Sequence, residues 1–123
     1  MATIVLAEDE QDIRDLLVFL LEMEGHQVVA VPDGRQAVQA VQQTKPDLVI
    51  LDVRMPFMDG YEACRVLKAD AETKDIPIIF LSARGQESEI QTGLELGAEK
   101  YIVKPFSPDE FLREIAPYVN TQS

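Results

Sequence analysis

The chain has 123 residues, 46% hydrophobic and 27% charged, with a formal net charge of −11 at pH 7. This length and apolar content predict one domain, residues 1–123, with a full core. The acidic charge argues against direct nucleic-acid binding and against docking on anionic lipid. No apolar run approaches membrane-spanning length, and no basic N-terminal region precedes an apolar stretch. We therefore expect a cytoplasmic protein with no export signal and no membrane insertion.

Short apolar runs alternate with amphipathic segments from the start of the chain. The first strand is expected at Thr3–Ala7, and the helix after it ends near Gly25. The apolar residues that recur at the helical period in this helix are Ile13, Leu16, Leu17 and Leu20. A second strand is expected from His26 to Val31. Asp33 and Gln36 resemble a capping box that opens the second helix, whose packed residues are Ala37, Val38 and Val41.

The third strand is expected at Leu48–Leu51, a branched apolar run typical of a strand buried on both faces of a parallel sheet. The run stops on a carboxylate, Asp52, and two turn signals follow it, Met55-Pro56 and Asp59-Gly60. Open α/β sheets place their chemistry at such strand ends; the alternative is that Asp52 merely begins a solvated loop. A third helix is expected from Gly60 to about Ala69.

The fourth strand is expected at Pro77–Ser82, and a fourth helix over residues 86–96 with Ile90 and Leu94 facing inward. This helix should be weak, because an interior glycine, Gly93, costs about 0.5–1 kcal/mol relative to alanine. A second glycine, Gly97, ends it.

The fifth strand is expected at Lys100–Lys104, where Pro105 stops it. The last helix has the clearest start, with Ser107 as the cap, Pro108 at the first helical position and Glu110 completing a capping box. The apolar face of this helix is formed by Phe111, Leu112 and Ile115.

Five strands that alternate with five helices predict an α/β fold. The expected architecture is a three-layer doubly wound domain with a five-stranded parallel sheet, flavodoxin-like, in the strand order 2-1-3-4-5.

The carboxyl ends of parallel strands lie along one edge of a sheet, so the polar residues that end these strands should converge. They are Glu8, Asp9, Asp52, Ser82 and Lys104. Three neighbouring carboxylates repel one another and require positive charge, which one lysine supplies only in part. Oxygen ligands suit Mg²⁺, and no Cys/His cluster exists for zinc. A carboxylate beside Mg²⁺ can be a nucleophile toward phosphorus, and phosphoryl transfer needs mainly positioning and charge neutralisation.

The order and spacing of these motifs resemble a known family over essentially the whole chain. The motifs are Glu8-Asp9, Leu51-Asp52-Val-Arg-Met-Pro56 with Asp59-Gly60, Leu81-Ser82-Ala83 and Val103-Lys104-Pro105-Phe106. They resemble the receiver (phosphoacceptor) domain of two-component response regulators, in its single-domain, chemotaxis-type form.

The resemblance implies a role for each residue at the predicted site. Asp52 would accept a phosphoryl group from a histidine kinase or a histidine phosphotransfer protein. Glu8, Asp9, Asp52 and the backbone carbonyl of Arg54 would bind Mg²⁺, while Ser82 and Lys104 would contact the phosphoryl oxygens. The protein would catalyse its own phosphorylation and dephosphorylation but would be a signalling protein and not an enzyme. A cis Lys104–Pro105 bond is also implied.

The resemblance implies that Ser82 and Tyr101 form the switch. Helix four contains glycines that make it easy to shift, and the two switch residues link it to the site. We therefore expect phosphorylation to shift the face made by helix four, strand five and helix five, which would bind an unknown downstream protein. The chain would be either a stand-alone receiver or the excised N-terminal domain of a longer regulator. The Met1 start and the short polar tail at Asn120–Ser123 favour the first.

Several positions depart from the common pattern or vary in the family. Glu8 stands where many members have Asp, which should keep metal binding with a longer reach. Arg54 and Arg84 occupy positions that tune acyl phosphate hydrolysis, or they are solvated loop arginines. Phe57 replaces the usual glycine and would be either a partner contact or a residue packed within its loop.

Two further residues are interpreted as structural. The single histidine, His26, is expected at the surface, and the single cysteine, Cys64, is expected to be a packed hydrophobe.

Competing functions fit less well. An aspartate-nucleophile phosphatase would need Asp where Arg54 stands, and a flavin or nucleotide binder would need a Gly- or Ser/Thr-rich loop in place of Glu8-Asp9-Glu10. A phosphate-independent interaction module remains an alternative.

Overall fold

The computed structural model describes residues 1–83 and 87–119, in which strands and helices alternate. The strands are β1 (Thr3–Ala7), β2 (Gln27–Val31), β3 (Leu48–Asp52), β4 (Ile78–Ser82) and β5 (Lys100–Val103). The helices are α1 (Gln11–Met23), α2 (Gly34–Thr44), α3 (Gly60–Ala69), α4 (Glu87–Glu95) and α5 (Pro108–Val119). These bounds agree with the predicted elements to within one or two residues at most ends.

All five strands are parallel and lie in the order β2-β1-β3-β4-β5. This confirms the predicted doubly wound sheet. The register places Ala7 beside Leu51, and Asp52 beside Leu81. The carboxyl ends of β1, β3 and β4 are therefore level with one another, which sets the residues after these strands side by side.

The core has two layers, because successive residues of a strand point to opposite faces of the sheet. Val49 and Leu51 pack on one face with residues of α2 and α3, and Leu48 and Ile50 pack on the other with α1 and α5. Every residue of β3 and β4 is buried. The two central strands therefore hold Asp52 and Ser82 on a rigid support.

Side-chain caps begin three of the helices. Asp33 accepts a hydrogen bond from the Gln36 backbone N–H at 2.8 Å, which confirms the predicted cap, but the Gln36 side chain donates to the Asp33 carboxylate at 3.0 Å and does not complete a box. The predicted Ser107–Glu110 box is confirmed by reciprocal bonds of 2.9 and 3.0 Å. A second full box, between Asp59 and Glu62 at the start of α3, was not predicted, although the spacing of these two residues fits the same pattern.

The predicted burial of two residues, Leu94 and His26, is wrong. Leu94 is 41% exposed and does not face inward, whereas Gly93 is buried against Phe80 and Tyr101 of the sheet. His26 is only 8% exposed and is not a surface residue; its Nδ1 accepts a hydrogen bond from the Ala2 backbone N–H at 3.0 Å. Cys64 is fully buried, as expected, and burial raises the pKa of its thiol to about 11.

Candidate functional site

Residues from four strand ends meet at the carboxyl edge of the sheet. Glu8 follows β1, Asp52 ends β3, Ser82 ends β4 and Lys104 follows β5. A cavity of about 170 Å³ lies between them. It is lined by Asp9, Glu10, Asp52, Arg54, Ser82, Ala83 and Lys104. The structure thus brings together the residues that the sequence places at strand ends.

Three carboxylates form a cluster that could hold a metal ion. Glu8, Asp9 and Asp52 each offer an oxygen, and these oxygens lie within 4.8 Å of one another. Glu8 is fully buried and Asp52 is 5% exposed, whereas Asp9 is exposed and gives the cluster an open side. An all-oxygen donor set with an open side for water fits Mg²⁺.

Lys104 places its ammonium group against this cluster. Its Nζ donates a hydrogen bond to Glu8 Oε1 at 2.9 Å and lies 3.5 Å from Asp52 Oδ1. The second oxygen of Glu8, Oε2, accepts from the Glu10 backbone N–H at 3.1 Å. The lysine ammonium is therefore bound more closely to Glu8 than to the predicted phosphoacceptor.

The positive charge of Lys104 does not offset the effect of burial and of neighbouring negative charge on the pKa of Asp52. Burial, and then the charge of Glu8, raise the pKa of Asp52 to about 8, although Lys104 opposes this shift. Burial lowers the pKa of Lys104, but the hydrogen bond to Glu8 and the charge of Asp52 outweigh it, so the pKa is raised. A buried carboxylate with a raised pKa is stabilised by added positive charge, which a divalent ion would supply.

The two predicted switch residues lie on the neighbouring strands β4 and β5, and Ser82 itself lines the cavity. Ser82 is 2% exposed, and its carbonyl accepts a hydrogen bond from the Lys104 backbone N–H at 2.7 Å. Tyr101 is half-buried and its ring lies 6.1 Å from the ring of Phe80. Tyr101 is thus connected to the site through the pairing of β5 with β4.

Sequence reasoning missed one residue next to Tyr101. The hydroxyl of Tyr61 lies 3.4 Å from the hydroxyl of Tyr101 and donates to the Glu89 carbonyl of α4 at 3.2 Å. The Tyr61 ring packs edge-on against Phe80 at 5.1 Å. No local pattern points to this contact, because Tyr61 and Tyr101 are 40 positions apart.

The loop between β3 and α3 contains the two unusual residues, Arg54 and Phe57. Arg54 is exposed and lines the cavity. Phe57 has a φ of 68°, in the left-handed region that favours glycine, and it is 76% exposed with the Arg35 guanidinium 5.2 Å from its ring centre. Its ring is therefore largely exposed to solvent, and the Arg35 guanidinium lies against it. Arg84 lies outside the described residues.

The Lys104–Pro105 peptide bond is cis, as the resemblance implies. Within the described ranges, no helix is both long and apolar enough to cross a lipid bilayer.

Curated relatives match most of this chain. It is 47% identical over 107 residues to a probable transcriptional regulator, ycf27, of Galdieria sulphuraria, covering 87% of this chain and 41% of that protein. It is 43% identical over 112 residues to the phosphate regulon transcriptional regulatory protein PhoB of Klebsiella pneumoniae, covering 91% and 49%. The chain thus spans less than half of either relative.

Solved structures match the whole fold. The chemotaxis protein CheY4 of Vibrio cholerae superposes with a TM-score of 0.91 at 30% identity, covering 97% of this chain and 99% of that one. The receiver domain of the sensor histidine kinase PA1611 of Pseudomonas aeruginosa, with a magnesium ion coordinated in its active-site cleft, gives 0.89 at 30% identity and covers 98% of both chains.

The family model of the response regulator receiver domain matches residues 4–116, which include the entire acidic site and Lys104. Receiver domains of this family bind Mg²⁺ in an acidic site and take phosphate from histidine kinases. The chain belongs to the response regulator receiver domain family, whose members are phosphorylation-activated elements of two-component signalling.

Proposed function

We propose that Asp52 accepts a phosphoryl group from the phosphohistidine of a histidine kinase or a histidine phosphotransfer protein. The observation that carries this proposal is the position of Asp52, a buried carboxylate at the end of a central strand, facing a cavity shared with Ser82 and Lys104. An Asp52 oxygen forms a bond to phosphorus as the P–N bond of the donor breaks. The electron pair of that bond returns to the imidazole nitrogen, and an acyl phosphate results.

Mg²⁺ fits the donor set at this site. Glu8, Asp9, Asp52 and the backbone carbonyl of Arg54 would hold it, and when bound it supplies positive charge for the phosphoryl oxygens. The buried carboxylates of Glu8 and Asp52 are held close to one another at the ends of β1 and β3.

Ser82 and Lys104 would bind the phosphoryl oxygens. Phosphoryl transfer needs positioning and neutralisation of the equatorial oxygens, and a hydroxyl and an ammonium on adjacent strand ends supply both. The chain would catalyse its own phosphorylation and dephosphorylation and would act in the cytoplasm as a signalling protein rather than as an enzyme. Arg54 and Arg84 would tune the hydrolysis rate.

The acyl phosphate would shift the face formed by α4, β5 and α5 and so change the binding of a downstream protein, without direct contact with nucleic acid. Two observations support this face. Ser82 is joined to β5 through the hydrogen bond from Lys104, and Tyr101 on β5 contacts Tyr61, which is bonded to α4. A change at the site would therefore reach α4 through a chain of contacts.

The test of the chemistry is acyl phosphate formation. The protein is incubated with Mg²⁺ and acetyl phosphate or phosphoramidate, and intact mass is measured. We expect the mass of one phosphoryl group to be added, and to be absent with EDTA or in Asp52→Asn. Asp75→Asn, which changes an exposed carboxylate far from the site, is the matched control and should be phosphorylated normally. Failure of the unaltered protein to form an adduct at any Mg²⁺ concentration would favour a phosphate-independent interaction module.

The test of the output face is hydrogen exchange measured with and without phosphorylation. We expect the exchange rates to change in α4 and β5 and to stay constant in α2. Substitutions on the face should alter partner binding and leave phosphorylation intact. Equal changes in all helices, or loss of phosphorylation in face variants, would contradict this assignment.

A further inference from the structure

Phe57 combines two features that folding alone does not favour. Its side chain is 76% exposed, more than any other large apolar side chain in the described part of the chain. Its φ of 68° lies in the left-handed region, where every residue except glycine is strained. Single exposed apolar residues are common on protein surfaces, so the exposure by itself assigns no role. Exposure and backbone strain at the same position do require an explanation.

The surrounding backbone fixes this strained conformation. The Met58 N–H donates to the Pro56 carbonyl at 2.7 Å, which makes Phe57 the centre of a γ-turn with positive φ, the rare and strained form. The Met58 carbonyl accepts from the Gly34 N–H at 3.0 Å and ties the turn to the start of α2. The Arg35 guanidinium lies 5.2 Å from the ring centre, but a cation–ring contact between exposed side chains stabilises less than the strain costs. The turn therefore presents the ring at the surface in a fixed position.

Phe57 lies close to the phosphoacceptor. The Gly60 N–H donates to the Val53 carbonyl at 2.8 Å, which closes the loop directly after Asp52. Three steps of the chain separate Gly60 from Phe57, so their Cα atoms are at most about 11 Å apart. A protein interface of standard size covers about 800 Å² on each partner, equivalent to a disc of about 16 Å radius. A protein that phosphorylates Asp52 must cover this edge of the sheet, and its footprint therefore reaches Phe57.

We propose that Phe57 is an anchor residue for the protein that donates the phosphoryl group. Its ring inserts into an apolar pocket on the donor protein beside the phosphohistidine, and this contact holds the donor in register over Asp52. The inference rests on the function proposed above and extends it, because it names a contact that a protein donor makes and a small phosphodonor does not. It also explains why a phenylalanine occupies a position whose backbone favours glycine.

Charge specifies the surroundings of the donor's pocket. The chain has a net charge of −11, and the carboxylates of Asp9, Glu10 and Glu62 are exposed on the segments around the site. A donor surface of like charge would be repelled, so the pocket should be rimmed by lysine or arginine. Aromatic and arginine side chains are enriched in protein interfaces, and Arg35 beside the ring fits the same contact. We therefore expect an apolar pocket with a basic rim.

The test compares a protein donor with a small one. Purified histidine kinases and histidine phosphotransfer proteins of the source organism are phosphorylated and screened against the unaltered chain, and the fastest donor serves as the probe. Phe57→Gly removes the ring and relieves the strain, so the variant should remain folded. We expect the concentration of receiver that half-saturates transfer to rise about tenfold, as for truncation of an interface anchor. The maximal transfer rate and the rate with acetyl phosphate should be unchanged, because the chemistry at Asp52 is not altered.

Two variants control for the loss of apolar surface. Phe57→Tyr keeps a ring at the same position and should be phosphorylated by the donor protein like the unaltered chain. Val66→Ala removes exposed apolar surface from α3 and should also have no effect. Circular dichroism checks that each variant folds. Equal half-saturating concentrations for Phe57→Gly and the unaltered chain would overturn the proposal. A slower reaction of Phe57→Gly with acetyl phosphate would overturn it too, since the substitution would then act on Asp52 through the loop.

The remaining outcomes separate other roles of the ring from failure of the proposed function. Sedimentation analysis shows whether the unaltered chain self-associates. If Phe57→Gly abolishes a dimer and transfer is unaffected, the ring binds a second copy of the chain and the donor contact is refuted. Normal transfer to both proteins refutes the anchor alone and leaves the proposed function intact. If no donor phosphorylates the unaltered chain, the proposed function fails and the anchor fails with it.

Discussion

The hydroxyl groups of Tyr61 and Tyr101 lie 3.4 Å apart, where the first turn of α3 meets β5, and the Tyr61 hydroxyl also donates to the Glu89 carbonyl of α4. Tyr61 therefore connects three elements of the fold with one oxygen atom. Burial, and then the hydrogen bond to Tyr101, raise the pKa of Tyr61 well above its ordinary value, so the hydroxyl stays protonated and able to donate.

Tyr61→Phe should therefore loosen α4 without disturbing the site. A hydrogen bond contributes about 0.5–1.5 kcal/mol, so we expect the free energy of unfolding to fall by about 1 kcal/mol in urea denaturation. Hydrogen exchange in α4 should be faster, while phosphorylation of Asp52 is retained. Tyr118→Phe removes a hydroxyl outside this contact and is the control; an equal effect of the two substitutions would contradict the role of the Tyr61 hydroxyl.

Gly93 is a glycine because of packing against the sheet. A Cβ at this position would lie 3.0 Å from carbon atoms of both Phe80 and Tyr101. Gly93→Ala gains about 0.5–1 kcal/mol of helix propensity, but crowding of a packed core costs about 1–3 kcal/mol. We expect thermal denaturation to show net destabilisation of about 1 kcal/mol and NMR to show a displaced Tyr101 ring.

Gln91→Ala changes an exposed residue of the same helix and should be neutral or slightly stabilising. If Gly93→Ala is also stabilising, the close contact is relieved by motion of α4, and the packing explanation fails.

Phe57 allows a test of backbone strain, because at this position a glycine variant should be more stable than an alanine variant, the reverse of the usual order. Phe57→Gly and Phe57→Ala both remove the ring and its contact with Arg35, but only glycine adopts a φ of 68° without strain. Alanine in the left-handed region is less favourable by about 1–2 kcal/mol. We expect the glycine variant to be more stable than the alanine variant by about 1 kcal/mol in urea unfolding. Greater stability of the alanine variant would show that the loop changes conformation once the ring is gone.

His26 makes stability depend on pH. Burial lowers its pKa below the ordinary value of 6.5, and its Nδ1 must be unprotonated to accept from the Ala2 N–H. The unfolded chain therefore binds this proton more readily than the folded one. The stabilisation is complete above about pH 6.5 and is lost as the pH falls through the lowered folded pKa.

His26 is the only histidine, so a single NMR titration gives its folded pKa directly. His26→Gln should reduce the slope of unfolding free energy against pH between neutral pH and the range in which carboxylates titrate. A folded pKa at or above 6.5 would contradict the assignment of the hydrogen bond.

The element order and the site could be predicted from local pattern alone. Branched apolar runs such as Leu48–Leu51 predict a strand directly. In a parallel sheet the carboxyl ends of all strands lie at the same edge. The sequence therefore predicts that Asp52 and Lys104 lie close together. Capping residues such as Ser107 and Glu110 act within four positions of each other, so they too are visible in sequence.

Side-chain direction and partner choice required the folded molecule. Leu94 and His26 were misplaced because burial depends on what another element covers, which periodicity in one helix or strand does not contain. Tyr61 meets Tyr101 across 40 positions, and Lys104 meets Glu8 across 96. Such pairings follow from how the helices and strands pack together. Lys104 Nζ lies 2.9 Å from Glu8 and 3.5 Å from Asp52, and only the tertiary arrangement determines such a small difference in distance.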